Sequence, residues 1–227
     1  MTPTALVLAA GRGSRLRPLT DQQPKPLIEV AGRALIRYHL EGLAAAGVAR
    51  AVVNLGWLGE QIRDQLRDTP VPGLELHFSE EGWPALETGG GIARALPLLG
   101  DGPFLVCNAD VYSDYPHQAL LEKARQWPDN TLAHLVLVPN PDHNADGDFA
   151  LGSDGQVQDH GERLTFSGLS VLHPCLLDGH EGGAFPLAPW LRRAIARGRV
   201  SGECHQGLWS DVGTSERLAA VRAQVSG

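Results

Sequence analysis

Gly11-Arg12-Gly13-Ser14-Arg15-Leu16-Arg17, followed by Pro24-Lys25-Pro26-Leu27, is a run of residue types suited to holding a polyphosphate. Glycines at 11 and 13 let the main chain bend sharply, so that successive N–H groups can point at one anion. Four cations (Arg12, Arg15, Arg17 and Lys25) face a single acid, Asp21, within the first 25 residues of a chain whose net charge is −7. That local inversion of sign is what an anionic ligand requires. The same glycines also suit a plain strand-to-helix turn with solvated arginines, and their spacing alone does not decide. A dinucleotide fingerprint is disfavoured, because Leu16 stands where the third glycine should fall. Lys25 is one of only two lysines against seventeen arginines. Its flanking prolines hold it in an extended segment, so it loses less freedom on binding.

The segment Gly11 to Leu27 resembles the signature of the sugar-1-phosphate nucleotidyltransferases, and the resemblance runs over the whole chain. Within that family, the size and the Leu86-Glu87-Thr88-Gly89-Gly90 stretch are similar to the single-domain uridylyltransferases of bacterial cell-wall recycling that act on N-acetylmuramic acid α-1-phosphate. The resemblance implies transfer of a uridylyl group from UTP to a sugar 1-phosphate, release of pyrophosphate, and Mg²⁺ as cofactor. It assigns catalytic roles to Arg15 and Lys25, with Gly11 and Gly13 cradling the nucleotide phosphates. Glu81 and a backbone group at Gly90 are expected to read the base, and Asn108 and Asp148 to bond the sugar. Asp110, which ends the apolar strand Phe104 to Cys107 plus Asn108-Ala109, and Asp211 in Trp209-Ser210-Asp211-Val212-Gly213 are the expected metal ligands. Mg²⁺ takes one or two protein carboxylates with phosphate oxygens and waters, which fits that pair. Either aspartate alone reads more readily as a turn or cap residue, and it is the two together with the glycine-rich loop that favour a metal.

Two stretches go beyond the shared signature. Many relatives carry a Glu-Lys pair before the strand Leu164 to Leu172, whereas Gln158 to Arg163 holds Asp159, Glu162 and Arg163 and no lysine. Arg163 is the substitute to consider for holding the sugar phosphate. Pro139 to Gly147 is long, polar and poor in bulky side chains, and its Asn140, His143 and Asn144 could bond the carboxylate or amide of a muramic acid, or simply form an exposed loop.

These residues need a scaffold that ends several strands at one edge. Ala5 to Ala9, Ala51 to Leu55, Leu74 to Phe78 and Phe104 to Cys107 read as strands. Helical periods over Ile36 to Gly47, Leu58 to Leu66, Gly91 to Leu96 and His117 to Gln126 alternate with them. The alternation predicts an α/β chain with a mostly parallel sheet and helices on both faces, and the family resemblance implies the Rossmann-like, mixed-sheet nucleotide-diphospho-sugar transferase fold. The second half is less regular. A strand at Leu132 to Val138 leads to a small hairpin around Asp154-Gly155, a strand at Leu164 to Leu172 and a helix over Leu187 to Arg197. A short strand Trp209 to Val212 then precedes a last helix capped by Thr214 or Ser215. Three glycines, 89 to 91, just ahead of a helix suggest close approach of something to the main chain.

Composition closes other routes. At 227 residues, 43% hydrophobic and 20% charged, the chain suits a single domain spanning 1–227. An acidic pI near 5.7 argues against a nucleic-acid binder. Three cysteines without a C-x-x-C form no metal or disulfide framework, the histidines make no H-E-x-x-H, and no serine sits in a G-x-S-x-G elbow. The six-residue apolar stretch Ala5 to Ala10 is too short for a signal core or a membrane span, so a cytoplasmic location with no membrane partner is expected. Two alternatives stay open: a guanylyl- or thymidylyltransferase acting on mannose or glucose 1-phosphate, and a non-catalytic nucleotide-sugar-binding relative. The latter should have lost one of Arg15, Lys25, Asp110 or Asp211. Oligomeric state is not legible.

Overall fold

A computed structural model describes residues 3–225. Its centre is four parallel strands, β1 (Ala5–Leu8), β2 (Arg50–Leu55), β3 (Glu75–Glu80) and β4 (Phe104–Asn108), in the spatial order β3-β2-β1-β4. Side chains alternate along β1 and explain why these strands read as unbroken apolar runs. Ala5 and Val7 pack on one face with Ile36, Leu40 and Leu43 of α1 (Leu35–Ala45), Ile62 and Leu66 of α2 (Gly59–Asp68), and Leu120 and Leu121 of α4 (His117–Arg125). Leu6 points to the other face, with Val52 of β2, Ile92 and Ala95 of α3 (Glu87–Leu99), and Leu191 and Ala194 of α5 (Ala188–Ile195). Strands buried on both faces have no polar side.

Beyond β4 the sheet turns antiparallel. The ten-residue β9 (Arg163–Leu172) runs against β4, then against β6 (Ala133–Val138) and, at its start, against β7 (Phe149–Leu151). The predicted hairpin is β7 with β8 (Val157–Gln158). Sheet and helices thus agree with the expected mixed architecture.

Three features depart from the sequence reading. β10 (Val200–Cys204) adds a parallel strand beside β6 that Val-Ser-Gly-Glu-Cys, with no apolar run, does not announce. β5 (Val111–Ser113) pairs antiparallel with β11 (Trp209–Asp211) in a separate two-stranded ribbon. Most consequential, α3 starts at Glu87 and not at Gly91, so all three glycines lie within the helix and are buried. A Cβ on Gly89 would strike Phe185, on Gly90 the Gly183 carbonyl, and on Gly91 the Glu81 carboxylate. The close approach is made by the chain itself. The last helix, α6 (Ser215–Val225), is capped by Thr214, whose Oγ1 accepts from Arg217 N at 3.3 Å. It packs Leu218 and Val221 with Val212, Leu16, Ile28 and Leu35 in a third apolar cluster. No helix among the described residues is long and apolar enough to cross a membrane.

Candidate active site

β1 ends at Leu8, and the chain turns through Ala9-Ala10-Gly11-Arg12-Gly13 above the carboxyl edge of the parallel strands, the edge where such sheets bind ligands. Asn54, at the end of β2, fixes the turn: its Oδ1 accepts from Ala9 N at 2.5 Å while its Nδ2 donates to Glu81. Gly13 has φ +66°, and an added Cβ there would stand 3.1 Å from Lys25 carbons and 3.2 Å from Thr20, so this position needs glycine on both counts. Gly11 has open space where a side chain would be. Trp57 braces the segment from outside, donating its indole N–H to Thr20 O at 2.8 Å, with the Arg12 guanidinium 4.4 Å above its ring.

The four cations of this segment are not equivalent. Arg12 and Arg17 both bind Asp21, at 3.3 and 2.8 Å, which neutralises that part of the turn. Arg15 has no hydrogen bond or ion pair among the described residues, and its guanidinium lies beside Gly213 at the mouth of the cleft. Lys25 is buried, and its Nζ lies 2.5 Å from Asp110 Oδ2.

Asp110 and Asp211 meet through the β5–β11 ribbon. Asp211 pairs with Val111, and Val212 N donates to Asp110 O at 2.9 Å, so the two aspartates sit on adjoining chain segments. Asp211 Oδ1 accepts from Arg217 Nη1 at 2.9 Å and lies 3.0 Å from His143 Nε2. Behind the ribbon, buried His39 lies 2.8 Å through Nε2 from Val111 O. A carbonyl only accepts, so Nε2 carries the proton and Nδ1 is left to accept from His117 Nε2 at 3.2 Å. Burial pushes the His117 imidazole down to about 3 and lowers that of His39, keeping both neutral. Cys107 lies beside them on β4, its thiol pushed up to about 12 by burial.

Glu81 stands on the opposite wall. One of its oxygens accepts from Asn54 and the other from Leu86 N at 2.9 Å, so the carboxylate braces the 81–86 loop from within the cleft lining. Gly90 is placed elsewhere than the sequence reading has it. Its N–H donates to Phe185 O at 3.1 Å, and it packs under the 183–185 loop behind the wall, while Glu87 and Thr88 at the helix start line the cleft. Glu87 holds φ +58°, a left-handed conformation unusual for a residue with a side chain.

Of the two residues expected to bond the sugar, Asn108 lines the cleft, and its side chain fills the space over Gly168, where β9 is irregular between Phe166 and Ser170. Asp148 does not join it. Its Oδ2 accepts from Phe166 N at 2.8 Å and Asn144 Nδ2 at 3.3 Å, tying the 140s loop to β9 outside the cleft lining. Arg163 is likewise absent from that lining and donates to Asp159 O at 3.1 Å.

The result is a cleft of about 350 Å³, within the range of small-ligand sites, walled by Gly11, Gly13, Arg15, Lys25, Glu81, Asn108 and Asp110. Asn54, Thr88 and Gly213 also line it, and sequence reasoning did not single them out. Asn54 carries a readable sign: it is the polar residue in the otherwise apolar run Ala51-Val52-Val53-Asn54-Leu55.

A family model described as nucleotidyl transferase matches residues 4–163. The chain is 50% identical over 223 residues to the N-acetylmuramate alpha-1-phosphate uridylyltransferase of Neisseria meningitidis serogroup B, covering 96% of each chain. It is 39% identical over 234 residues to the protein of the same name from Caulobacter vibrioides, covering 98% of this chain and 96% of that one. A crystal structure of UDP-glucose pyrophosphorylase complexed with UDP-glucose superposes with a TM-score of 0.82 at 17% identity, over 100% of this chain and 99% of the other.

Proposed function

The chain belongs to the nucleotidyl transferase family, and we propose that it transfers a uridylyl group from UTP to N-acetylmuramic acid α-1-phosphate, releasing pyrophosphate. The observation that carries the reading is the convergence of Arg15, Lys25 and Asp110 on one cleft, with Asp211 outside its lining on the chain segment paired beside Asp110. The uridine and muramic acid assignments follow the two bacterial relatives named for that reaction. Residues 1–227 act as one nucleotidyltransferase domain. UTP as donor places the reaction in the cytoplasm, and its sugar places it in peptidoglycan recycling.

A sugar phosphate is already an anionic nucleophile, so neither a strong base nor a covalent intermediate is needed. Catalysis then rests on alignment and on neutralising charge. Lys25 meets the α-phosphate or the incoming sugar phosphate. Arg15, with no protein partner among the described residues, takes the charge that develops on the leaving pyrophosphate. Backbone N–H groups at Gly11 and Gly13 cradle the triphosphate. Glu81, held by Asn54 and Leu86 N–H, faces the base with a fixed acceptor suited to uracil N3–H. Gly90 reaches the base only indirectly, by letting the start of α3 pack close to the 183–185 loop.

The donor set fits Mg²⁺. Asp110 Oδ1 and Asp211 Oδ2 accept no protein hydrogen bond among the described residues, and both are hard oxygen donors on adjoining segments. Asp110 and Asp211 would hold the ion, which would supply neutralisation of phosphate charge there. Asn108 is left to bond a sugar hydroxyl or amide. Asp148, engaged with Phe166 N–H, supports that side by holding the 140s loop in place.

A pyrophosphate-release assay crossing UTP, dTTP, GTP and ATP with the 1-phosphates of N-acetylmuramic acid, N-acetylglucosamine, glucose and mannose tests the reading. Fastest turnover with UTP and N-acetylmuramic acid 1-phosphate is expected. A preference for glucose or mannose 1-phosphate refutes the substrate, and no turnover with any pair refutes the activity.

A further inference from the structure

Asp211 ends β11 outside the cleft lining, so its use to a metal depends on how its carboxylate is held. Both of its side-chain contacts fall on one oxygen. Arg217 Nη1 donates to Oδ1 at 2.9 Å, and His143 Nε2 lies 3.0 Å from the same atom, which leaves Oδ2 without a partner among the described residues. Of the two, Arg217 is the more enclosed, with 16% of its side chain exposed against 38% for His143.

Arg217 stands where local preference would not put a cation. It is the third residue of α6, in the first turn, where the positive end of the helix dipole disfavours it. Asp211 is the only partner of its guanidinium among the described residues, and its Nε is buried with none. A residue that breaks a local rule in this way points to a compensating role. Both ends of the pair are anchored, because Val212, next to Asp211, and Leu218, next to Arg217, belong to one apolar cluster.

Gly213 makes room for the arrangement. A Cβ there would strike Arg217 Nη2 and lie 3.2 Å from Arg15 Nη2. Its φ is not left-handed, so the position needs the missing side chain and not glycine's conformational freedom. The two guanidinium groups thus approach one residue with different duties: Arg15 lines the cleft and Arg217 does not.

We propose that Arg217 is a positioning residue for the metal. By holding Oδ1 it fixes the Asp211 carboxylate with Oδ2 left for the ion, and Gly213 admits the guanidinium that does so. The proposal rests on the reading of Asp110 and Asp211 as Mg²⁺ ligands. A carboxylate already fixed loses less freedom when it binds a metal, and groups that fix a ligand are worth ~10- to 100-fold in metal affinity. The arginine charge opposes the cation, but it is delocalised over the guanidinium plane and offset by Asp211 itself, so the ordering prevails.

The test titrates Mn²⁺, a paramagnetic probe, into nucleotide-free protein and counts bound ion by electron paramagnetic resonance. The Mg²⁺ concentration that half-saturates turnover is measured alongside. If Asp211→Asn binds Mn²⁺ as tightly as wild type, or wild type binds none, the metal reading itself fails, and this is known before any Arg217 variant is made. In Arg217→Met, Mn²⁺ affinity should fall ~10- to 100-fold and the half-saturating Mg²⁺ concentration should rise to match, with kcat largely recovered at saturating Mg²⁺. Arg217→Lys should recover part of the affinity. Gly213→Ala keeps every charge and displaces only the flexible end of Arg217, so it should fold and show the same loss of Mn²⁺ affinity, which carries the test if Arg217→Met does not fold. Mn²⁺ affinity equal to or tighter than wild type in these variants, whatever happens to turnover, would show that the guanidinium only competes with the ion and would overturn the proposal.

Discussion

Lys25 and Asp110, 85 residues apart in sequence, form a 2.5 Å ion pair whose members are unequally exposed: 7% for the lysine side chain and 40% for the carboxylate. A buried ammonium without a counter-ion carries a desolvation penalty of several kcal/mol. The open carboxylate is thus the replaceable partner, and a phosphate can take its place beside a cation already held in position.

Two substitutions separate these roles. Lys25→Met keeps the volume and removes the charge, so the thermal midpoint should change little while turnover falls at least ~100-fold. Asp110→Ala strands the ammonium and should lower the thermal midpoint as well as turnover, with added pyrophosphate restoring part of the lost stability by mass action. If Asp110→Ala is as stable as wild type with and without pyrophosphate, the ion pair is not what neutralises Lys25.

Arg15 and Arg17 are two residues apart and should behave differently. Arg15→Ala should lower kcat roughly 10²- to 10³-fold, the scale of a lost oxyanion donor, with stability within about 0.5 kcal/mol of wild type. Arg17, engaged with Asp21 at the surface, should tolerate Ala with kcat nearly unchanged. Comparable losses in both variants would mean that the whole basic segment, and not Arg15, meets the triphosphate.

Gly90→Ala sets helix propensity against packing. Alanine in a helix interior gains about 1 kcal/mol over glycine, whereas forcing a methyl group against the Gly183 carbonyl costs about 1–3 kcal/mol. The variant should be less stable in urea unfolding. A stabilised variant would show that α3 and the 183–185 loop are less closely packed than described.

Acid should weaken the fold before carboxylates titrate. Unfolded histidine takes up its proton near 6.5, whereas burial holds folded His117 at about 3 and also lowers His39. Below about 6.5 the unfolded chain therefore binds protons that the folded chain does not. This contribution is fully present above about 6.5 and is lost as pH falls, by roughly 1.4 kcal/mol per pH unit for each such group. Urea unfolding of wild type and His117→Leu at about pH 7.5 and about pH 5 checks the sign: the variant should lose less between the two. An equal loss in both would place the acid sensitivity elsewhere.

The parallel half of the sheet is legible because strands covered on both faces are continuous apolar runs, as Ala5 to Leu8 and Phe104 to Cys107 show. β10 is hidden because Ser201, Gly202 and Glu203 break its pattern, and its pairing with β6 supplies what its side chains do not. The glycine- and arginine-rich segment can be read locally, since glycine φ and clustered charge act over a few residues. Which of its cations remains unpaired depends on Asp21 and Asp110, and only the folded chain decides that. Asp110 and Asp211 can be recognised as strand ends, but their adjacency comes from the β5–β11 ribbon, a pairing that neither short strand announces. Gly89 to Gly91 suggest room for a ligand, yet the room is filled by Phe185, Gly183 and Glu81, which a local reading cannot foresee.

Under the proposed function, the uridylyl group passes directly between two bound phosphates without a covalent intermediate. This transfer is tested most directly with UTP labelled at the α-phosphorus and N-acetylmuramic acid 1-phosphate. The label should move entirely into the UDP-sugar, one pyrophosphate released per label transferred, only when both substrates and Mg²⁺ are present. Label released as UMP without the sugar phosphate, or retained on the protein, would contradict it.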